Sequence, residues 1–323
     1  MQILSKENSR PVFKGIYTAL VTPFLPDGSV DIKNYERLLD AQLAGGVHGV
    51  VPCGTTGESP VLTNEEKLLL IKTAVKKCKG RALVIAGTGS NDTLKTVQDS
   101  VAACEAGVDG LLIVTPYYNK PSQSGLEAHF RAVADASTVP IILYNVPGRT
   151  CVSLAPATVA KLSAHPRIAG IKEATGNLGL LTEMRQAVAQ QPGRKADAPF
   201  YFLSGDDITF WPFLACGGDG VISVSSNILP ACMRMLFEDW NEGRNGSGLA
   251  LHERLSHFFN MLFIEANPVP LKTLLARQGR MNAKVRLPLV DMDPENVEKL
   301  RRSWEALLPH LQKDNPREDI HGK

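Results

Sequence analysis

The 323-residue sequence lacks several features that would place it in a special class of protein. No apolar run reaches the roughly 18–20 residues needed to span a bilayer. Lysine and arginine (35) nearly balance aspartate and glutamate (33), so the basic surplus typical of nucleic-acid binding is missing. With 27 glycines and 21 prolines, the composition is not that of a collagen-like or low-complexity chain.

Cysteine is also scarce, and none of the six cysteines forms a Cys-x-x-Cys pair, which excludes a zinc ribbon or a thioredoxin-type motif. A chain of this length buries enough surface to fold without disulfides. Residues 1–10 are polar and lack the apolar core of a secretory signal. The sequence therefore predicts a cytoplasmic protein with reduced thiols and with neither a membrane nor a nucleic acid as partner.

Short apolar runs, rich in valine and isoleucine, recur along the chain. Continuous runs of this kind are typical of parallel strands buried on both faces of a sheet. Eight are present: Ile16–Val21, Gly49–Cys53, Leu83–Ala86, Gly110–Val114, Pro140–Tyr144, Ile168–Ile171, Tyr201–Leu203 and Gly220–Val224. Most intervals between them are about thirty residues, the size of one strand–helix unit.

The segments between these runs carry the apolar stripe of surface helices. The clearest stripe has helical spacing and consists of Ile32, Tyr35, Leu38, Leu39 and Leu43. A second helix is expected over Asn64–Lys76, where Thr63 is the N-cap and Glu66 completes a capping box. Strands and helices that alternate in this way predict an α/β fold with a parallel sheet.

Eight such units predict a (β/α)₈ TIM barrel. A doubly wound sheet is the alternative, but Gly87-Thr-Gly-Ser-Asn-Asp lacks the third glycine of its phosphate loop. The strand pattern stops at about residue 226, and the helices expected beyond it are Pro230–Asn241, Leu249–Ile264, Pro270–Gln278 and Pro294–Leu311. The predicted organisation is a barrel over 12–228, a C-terminal helical domain over 229–312, and flexible tails at 1–11 and 313–323.

Catalytic groups of a TIM barrel lie at the carboxyl ends of the strands and in the loops that follow. Lys172 follows the sixth run, where partial burial disfavours the ammonium form and leaves a nucleophilic amine. Tyr144 ends the fifth run and can relay protons. The Gly54–Gly57 turn offers N–H groups and two hydroxyls to a carboxylate, and Arg149 can bind an anion. Together these groups suit Schiff-base chemistry on a small oxo acid.

Each of these groups also fits a structural role. Lys172 can pair with Glu173, Tyr144 can simply pack, and Arg149 can form a surface ion pair. Metal binding has little support: His252–His257 has one residue too many for the His-Glu-x-x-His motif, and the adjacent carboxylates Asp206 and Asp207 lack further ligands.

Six motifs match, in order, those of one family. They are Gly54-Thr-Thr-Gly-Glu-Ser, Tyr117-Tyr-Asn, Tyr144-Asn-Val-Pro-Gly-Arg-Thr, Gly170-Ile-Lys-Glu-Ala-Thr-Gly, Leu203-Ser-Gly-Asp-Asp and Gly220-Val-Ile-Ser-Val. From about Gly15 to about Pro288 the sequence resembles the dihydrodipicolinate synthase family, within the superfamily of pyruvate-dependent class I aldolases and N-acetylneuraminate lyases. The resemblance implies a TIM barrel with a C-terminal helical domain, assembled as a homotetramer (a dimer of dimers).

The resemblance further implies a lyase of lysine and diaminopimelate biosynthesis. Such an enzyme condenses pyruvate with L-aspartate 4-semialdehyde to give 4-hydroxy-tetrahydrodipicolinate. Lys172 would form the Schiff base with pyruvate, and Tyr144 would be the central proton donor and acceptor. Thr55 and Tyr118 would complete the proton relay, with Tyr118 reaching into the site of the neighbouring subunit.

The resemblance also assigns the substrate contacts. Thr56 would hold the carboxylate of pyruvate, and Arg149 the carboxylate of the semialdehyde. Gly205 and Ile222 would line the site through their backbone carbonyls. No metal or organic cofactor is implied, because the lysine itself supplies the electron sink.

Inhibited members of the family bind lysine at the tight dimer interface. The resemblance assigns this effector site to Ser59, Asn64, Lys67, Asn91, Lys95 and Tyr117. Lys95 stands where the inhibited enzymes carry a glutamate that neutralises an ammonium group of the ligand, and Asn64 and Lys67 replace histidines. The sequence therefore predicts a degenerate site and little or no inhibition by lysine.

Two other functions compete with this interpretation. One is a sister aldolase acting on a sugar acid such as N-acetylneuraminate or 2-keto-3-deoxygluconate, although the sister enzymes resemble this sequence less at Thr55, Thr56 and Arg149. The other is a non-catalytic barrel that senses oxo acids, against which the presence of both Lys172 and Tyr144 argues.

Overall fold

The structure is a computed structural model that describes residues 11–194 and 198–314. Its eight strands form one closed barrel in chain order. The first strand pairs in parallel with the second, and each strand from the third to the seventh pairs in parallel with the next. The strands are β1 (Gly15–Ala19), β2 (Gly49–Val51), β3 (Leu83–Gly87), β4 (Gly110–Val114), β5 (Ile141–Asn145), β6 (Ile168–Glu173), β7 (Tyr201–Ser204) and β8 (Gly220–Ser223). The TIM barrel expected from the eight apolar runs is confirmed.

Almost every strand residue is buried, so both faces of the sheet are covered. This explains why the strand sequences are continuously apolar. In β5 and β6 the register pairs Tyr144 with Lys172 and Asn145 with Glu173. The next pairing places Lys172 beside Leu203 of β7. Strand register therefore fixes which polar side chains lie next to each other at the carboxyl ends of these strands.

Helices follow the strands through the barrel region. They are α1 (Ile32–Ala44), α2 (Asn64–Cys78), α3 (Thr93–Glu105), α4 (Gln123–Ala136), α5 (Pro147–Thr150), α6 (Pro156–Ser163), α7 (Leu178–Ala189) and α8 (Phe210–Ala215). The expected capping box is confirmed: the Thr63 hydroxyl accepts from the Glu66 N–H, and the Glu66 carboxylate accepts from the Thr63 N–H. The predicted stripe of α1 buries Tyr35, Leu38 and Leu39.

The C-terminal region is helical, as expected. Its helices are α9 (Pro230–Asn241), α10 (Asn245–Met261), α11 (Val269–Arg277) and α12 (Pro294–Asp314). Each agrees with its predicted bounds to within about one turn, which is the ordinary uncertainty of helix ends. Among the described residues, no helix is long and apolar enough to cross a membrane.

Contacts between residues group the chain into two compact units. One unit contains Leu83–Ile222, with β3 to β7 and most of β8; the other contains Gly15–Ala82 and the chain from Ser223 onward. Separate domains over 12–228 and 229–312 stay a prediction. The tails expected at 1–11 and 313–323 fall, at residues 1–10 and 315–323, outside the described part of the chain.

Candidate active site

Lys172 is a buried lysine near the carboxyl end of β6, with only 6% of its surface exposed. Its Nζ lies over the ring of Tyr144, 4.1 Å from the ring centroid. Because the two residues are register partners on adjacent strands, parallel pairing alone brings them side by side. Within residues 11–194 and 198–314, Lys172 has no ion-pair partner. The amine is therefore held against an aromatic face and not by a carboxylate.

Glu173 follows Lys172 but is held by other groups. Its Oε1 accepts a hydrogen bond from Nδ2 of Asn145 at 3.0 Å, and the N–H and hydroxyl of Thr175 donate to the same carboxylate. Burial raises the pKa of Glu173 above its usual value, while these hydrogen bonds act in the opposite direction. The ion pair between Lys172 and Glu173, considered from the sequence, is not formed, and Glu173 instead accepts hydrogen bonds from Asn145 and Thr175.

Gly205 follows β7 and lies against the side chain of Lys172. Its N–H donates to the backbone carbonyl of Glu173 at 2.7 Å. A Cβ atom at Gly205 would lie 3.1 Å from Cε of Lys172 and 2.5 Å from Cβ of Ala174, so only glycine fits without a shift. Ile222, in β8, is buried.

Arg149 lies on α5, the four-residue helix that follows β5 directly. Its side chain is exposed. Thr150 at the end of the helix is buried, and its hydroxyl lies within hydrogen-bonding distance of the Val152 carbonyl, at 2.9 Å, and of the Val146 carbonyl, at 3.2 Å. No ion-pair partner of Arg149 is present among the described residues, so the surface ion pair considered from the sequence is not formed. The guanidinium is open to an anionic ligand.

Tyr118 is 89% exposed in the loop after β4, with a φ of +72° in the left-handed region that non-glycine residues rarely adopt. The neighbouring Asn119 anchors this loop, because its Nδ2 donates to the carbonyl of Asn91 at 2.9 Å. A large ring that projects from an anchored loop into solvent is unusual for a residue whose role is packing.

The Gly54–Gly57 turn closes through two backbone hydrogen bonds, from the Gly57 N–H to the Gly54 carbonyl and from the Glu58 N–H to the Thr55 carbonyl, each 3.1 Å. Within the described part of the chain, the N–H groups of Thr55 and Thr56 donate no hydrogen bond. Successive unused N–H groups in a turn form a concavity that suits an anion. The carboxylate cradle expected from the sequence therefore has two free donors.

Thr56 is buried, and its Oγ1 accepts a hydrogen bond from Nδ2 of Asn267 at 2.8 Å. Asn267 precedes α11 and is itself buried, and its Oδ1 has no hydrogen-bond partner in the described residues. Reasoning from the sequence missed Asn267, because no local pattern relates it to a turn 211 positions away.

The same turn is followed by a buried ion pair that the sequence did not reveal. Nζ of Lys272, fully buried, lies 2.7 Å from Oε1 of Glu58 and 2.9 Å from the Thr22 carbonyl, and 4.2 Å from the ring centroid of Phe24. Burial lowers the pKa of Lys272 to about 8, against the opposing charge of Glu58. The second carboxylate oxygen of Glu58 accepts from the Arg286 N–H at 3.0 Å.

The positions assigned to a lysine effector site are divided between the two units. In one unit, Lys95 lies in α3 and its Nζ is 3.1 Å from Oδ2 of Asp99, while Tyr117 is half-buried. In the other, Asn64 is exposed at the first position of α2, and Ser59 and Lys67 are half-buried. The positive charge of Lys95 is therefore partly balanced by an acidic neighbour one helical turn away.

The histidine and aspartate motifs considered for metal binding do not form a metal site among the described residues. His252 is buried in α10 whereas His257 is exposed, so the two rings point in different directions. Oδ2 of Asp206 accepts from the Thr209 hydroxyl at 3.2 Å, and burial raises its pKa. No group of three or more histidine, cysteine, aspartate or glutamate side chains that could hold a metal is found in the residues the structure describes.

Comparisons with known proteins agree with this architecture. The model of the "Dihydrodipicolinate synthetase family" matches residues 12–307. A 4-hydroxy-tetrahydrodipicolinate synthase from Bdellovibrio bacteriovorus is 47% identical over 291 residues, which cover 90% of this chain and 96% of that protein. The solved 4-hydroxy-tetrahydrodipicolinate synthase of Methylacidiphilum fumariolicum is 40% identical with a TM-score of 0.89, covering 95% of this chain and 99% of that one. A monomeric dihydrodipicolinate synthase variant is 38% identical with a TM-score of 0.87, and the match covers 91% of this chain and 97% of that one.

A closed eight-stranded barrel with a C-terminal helical region, together with these relatives, defines a TIM-barrel lyase. Because the family model spans nearly the whole described chain, the protein belongs to the dihydrodipicolinate synthetase family and is an enzyme of that family. The resemblance carried by the six sequence motifs is confirmed.

Proposed function

We propose that the enzyme condenses pyruvate with L-aspartate 4-semialdehyde through a Schiff base on Lys172, giving 4-hydroxy-tetrahydrodipicolinate for lysine and diaminopimelate biosynthesis. The observation that carries the proposal is the contact of the buried Lys172 Nζ with the Tyr144 ring at 4.1 Å. A lysine amine is the nucleophile of Schiff-base formation, and among the described residues no carboxylate forms an ion pair with the Lys172 amine. The names of the relatives support the same reaction.

The chemical steps follow from this nucleophile. The amine of Lys172 attacks the carbonyl carbon of pyruvate, the carbonyl oxygen leaves as water, and a C=N bond forms. Loss of a methyl proton gives an enamine, whose terminal carbon forms the new C–C bond with the aldehyde carbon of the second substrate. The amino group of that substrate then displaces the lysine amine, which closes the ring and frees the enzyme. Tyr144 is assigned the proton transfers, and Thr55 and Tyr118 the relay to solvent.

The substrate contacts are assigned to groups whose hydrogen-bonding capacity is unused. The free N–H groups of Thr55 and Thr56, with the Thr56 hydroxyl, suit the carboxylate of pyruvate. The exposed guanidinium of Arg149 suits the carboxylate of the semialdehyde. Gly205 and Ile222 are assigned to line the site through their backbone carbonyls.

We also propose that the enzyme works as a homotetramer, a dimer of dimers, in the cytoplasm. The exposed ring of Tyr118 supports an assembly in which this residue is covered by a neighbouring subunit. One structural relative is a monomeric variant, so the state must be measured. Sedimentation velocity at micromolar concentration tests it: a tetramer is expected, and a monomer with full activity would contradict the proposal.

Borohydride trapping tests the central step. Reduction in the presence of pyruvate, followed by peptide mapping, is expected to place a pyruvate-derived adduct on Lys172. The variant Lys172→Met should form no adduct, whereas the matched control Lys161→Met, at an exposed lysine of α6, should react like the wild type. An adduct on another lysine, or none in a folded preparation, would contradict the mechanism.

Substrate choice needs a separate assay. Pyruvate with L-aspartate 4-semialdehyde is expected to react at least a hundredfold faster than pyruvate with a sugar aldehyde. The reverse preference would make the enzyme a sugar-acid aldolase while leaving the Schiff base intact.

A further inference from the structure

We propose that Asn267 is a positioning residue that makes the Thr56 hydroxyl a hydrogen-bond donor to the carboxylate of the oxo-acid substrate. The inference rests on the proposed function and deepens it, because it says how the cradle for pyruvate obtains its polarity. The observation is the buried hydrogen bond, 2.8 Å long, that Nδ2 of Asn267 donates to Oγ1 of Thr56.

The polarity follows from the hydrogen-bonding capacity of the two groups. An amide NH₂ only donates, whereas a hydroxyl has one hydrogen to donate and lone pairs that accept. Once Thr56 Oγ1 accepts from Asn267, the hydroxyl hydrogen remains available for a second partner. Within the described residues, the Thr56 hydroxyl has no acceptor for that hydrogen. Accepting a bond also polarises the O–H group and makes it a better donor.

The chemistry of the turn identifies the second partner as an anion. The N–H groups of Thr55 and Thr56 are unused, so the turn presents three donors when the hydroxyl is included. A carboxylate accepts through two oxygens and about four lone-pair sites, and charge-assisted hydrogen bonds are roughly twice as strong as neutral ones. Three unused donors on one turn favour a carboxylate over a neutral carbonyl compound.

The Asn267 side chain is itself incompletely satisfied. With 5% of its surface exposed, it leaves Oδ1 without a partner in the part of the chain that the structure describes. A buried acceptor without a partner is destabilising, so a purely structural asparagine at this position would be expected to use both ends of its amide. The cost is consistent with a residue retained for what it does to Thr56.

The backbone of the turn is held independently of Asn267. The Thr22 hydroxyl donates to the Gly57 carbonyl at 2.8 Å, and the Glu58 side chain is held in place by its buried ion pair with Lys272. Replacing Asn267 therefore leaves the path of the turn in place. The change acts on the direction of one hydroxyl, which is the property that the experiment must measure.

The sharpest variant is Asn267→Asp, which keeps the size of the side chain but replaces the donor by an acceptor. The Thr56 hydroxyl would then donate to residue 267 and turn its lone pairs towards the substrate carboxylate. We expect the pyruvate concentration for half-maximal borohydride trapping to rise by tenfold or more, the loss that one charge-assisted hydrogen bond produces. The variant Asn267→Ala removes the donor without reversing it, and we expect a rise of about threefold to tenfold.

A double-mutant cycle with Thr56 separates positioning from general damage. In a Thr56→Val background, Asn267→Ala should add less than a twofold loss in pyruvate affinity, because there is no hydroxyl left to orient. In a Thr56→Ser background, which keeps the hydroxyl, the loss should return. For the single variants of Asn267, where Thr56 is unchanged, the rate at saturating pyruvate and the constant for the second substrate should change less than twofold.

Three results would overturn the inference. Pyruvate affinity that is unchanged in Asn267→Asp would mean that the Thr56 hydroxyl already donates to Asn267. If Asn267→Ala lowers pyruvate affinity by the same factor in the Thr56→Val background as in the wild type, Asn267 does not act through the Thr56 hydroxyl. A folded wild-type enzyme that forms no pyruvate adduct would remove the proposed function together with this inference, whereas a normal adduct with unchanged variants would remove the inference alone.

Discussion

A methyl group on Gly205 would lie 3.1 Å from Cε of Lys172 and 2.5 Å from Cβ of Ala174. Cβ of Ala174 is fixed to the backbone and cannot turn away, so the strain must be relieved by moving the Lys172 side chain or the loop. We expect Gly205→Ala to lower kcat at least tenfold and to slow trapping of pyruvate. The control is Gly246→Ala, where nothing lies within 4 Å of the added methyl. Equal activity of the two variants would contradict a close packing role for Gly205.

Arg149 is expected to serve the second substrate only. Loss of one charge-assisted contact to a carboxylate costs about 1.5–3 kcal/mol, so Arg149→Ala should lower kcat/KM for the semialdehyde roughly 10–150-fold. Trapping of pyruvate should change less than twofold. The matched control is Arg37→Ala, at another exposed arginine. A parallel loss in pyruvate trapping would show that Arg149 supports the first substrate or the fold.

The buried pair of Lys272 and Glu58 predicts a stability effect. Lys272→Met leaves the Glu58 carboxylate buried without its cation, and removing one partner of a buried pair costs about 3–5 kcal/mol. The double variant Lys272→Met/Glu58→Gln should recover much of this loss, because the neutral amide can still accept from the Arg286 N–H. Urea unfolding at pH 7 measures both. A single variant as stable as the wild type would contradict an energetically coupled pair.

His129 predicts how the stability depends on pH. Burial lowers its pKa to about 4 from the ordinary value of 6.5, so between these values the unfolded chain binds a proton that the folded protein does not. Stability must therefore fall as the pH falls through this window, by about 2 kcal/mol between pH 7 and pH 5 from this group. In urea unfolding, the free energy of unfolding of His129→Gln should depend less steeply on pH and should lose about 2 kcal/mol less than the wild type between pH 7 and pH 5. The exposed control His257→Gln should leave the slope unchanged, and identical slopes in all three proteins would contradict the prediction.

Inhibition by lysine is expected to be weak. Replacing an acidic ligand of an ammonium group by Lys95 costs about 2–5 kcal/mol, and the ion pair of Lys95 with Asp99 offsets only part of the repulsion. At about 1.4 kcal/mol per decade, binding should be at least a hundredfold weaker, with half-inhibition above about a millimolar. Lys95→Glu should lower the half-inhibitory concentration more than Lys95→Ala does. Strong inhibition of the wild type below a millimolar would contradict the charge argument.

Local features of the sequence determined the barrel and part of the site. Continuous apolar runs identify buried parallel strands because both faces are covered, and their ends were predicted to within about two residues. The capping box of Thr63 and Glu66 was predictable because both partners lie within one helical turn. Lys172 and Tyr144 could be paired in advance because adjacent parallel strands that end at the same level place the residues near their carboxyl ends side by side.

Tertiary structure alone decided what surrounds those groups. Thr56 and Asn267 are 211 positions apart, and Glu58 and Lys272 are 214 apart, so no periodicity or spacing relates them. Hydrogen bonds and ion pairs act over about 3 Å, and they depend on side-chain positions that only the packed chain defines. The same holds for Glu173, whose neighbour in sequence is Lys172 but whose hydrogen bonds come from Asn145 and Thr175. Adjacent residues of a strand point to opposite faces, so sequence proximity could not make them partners.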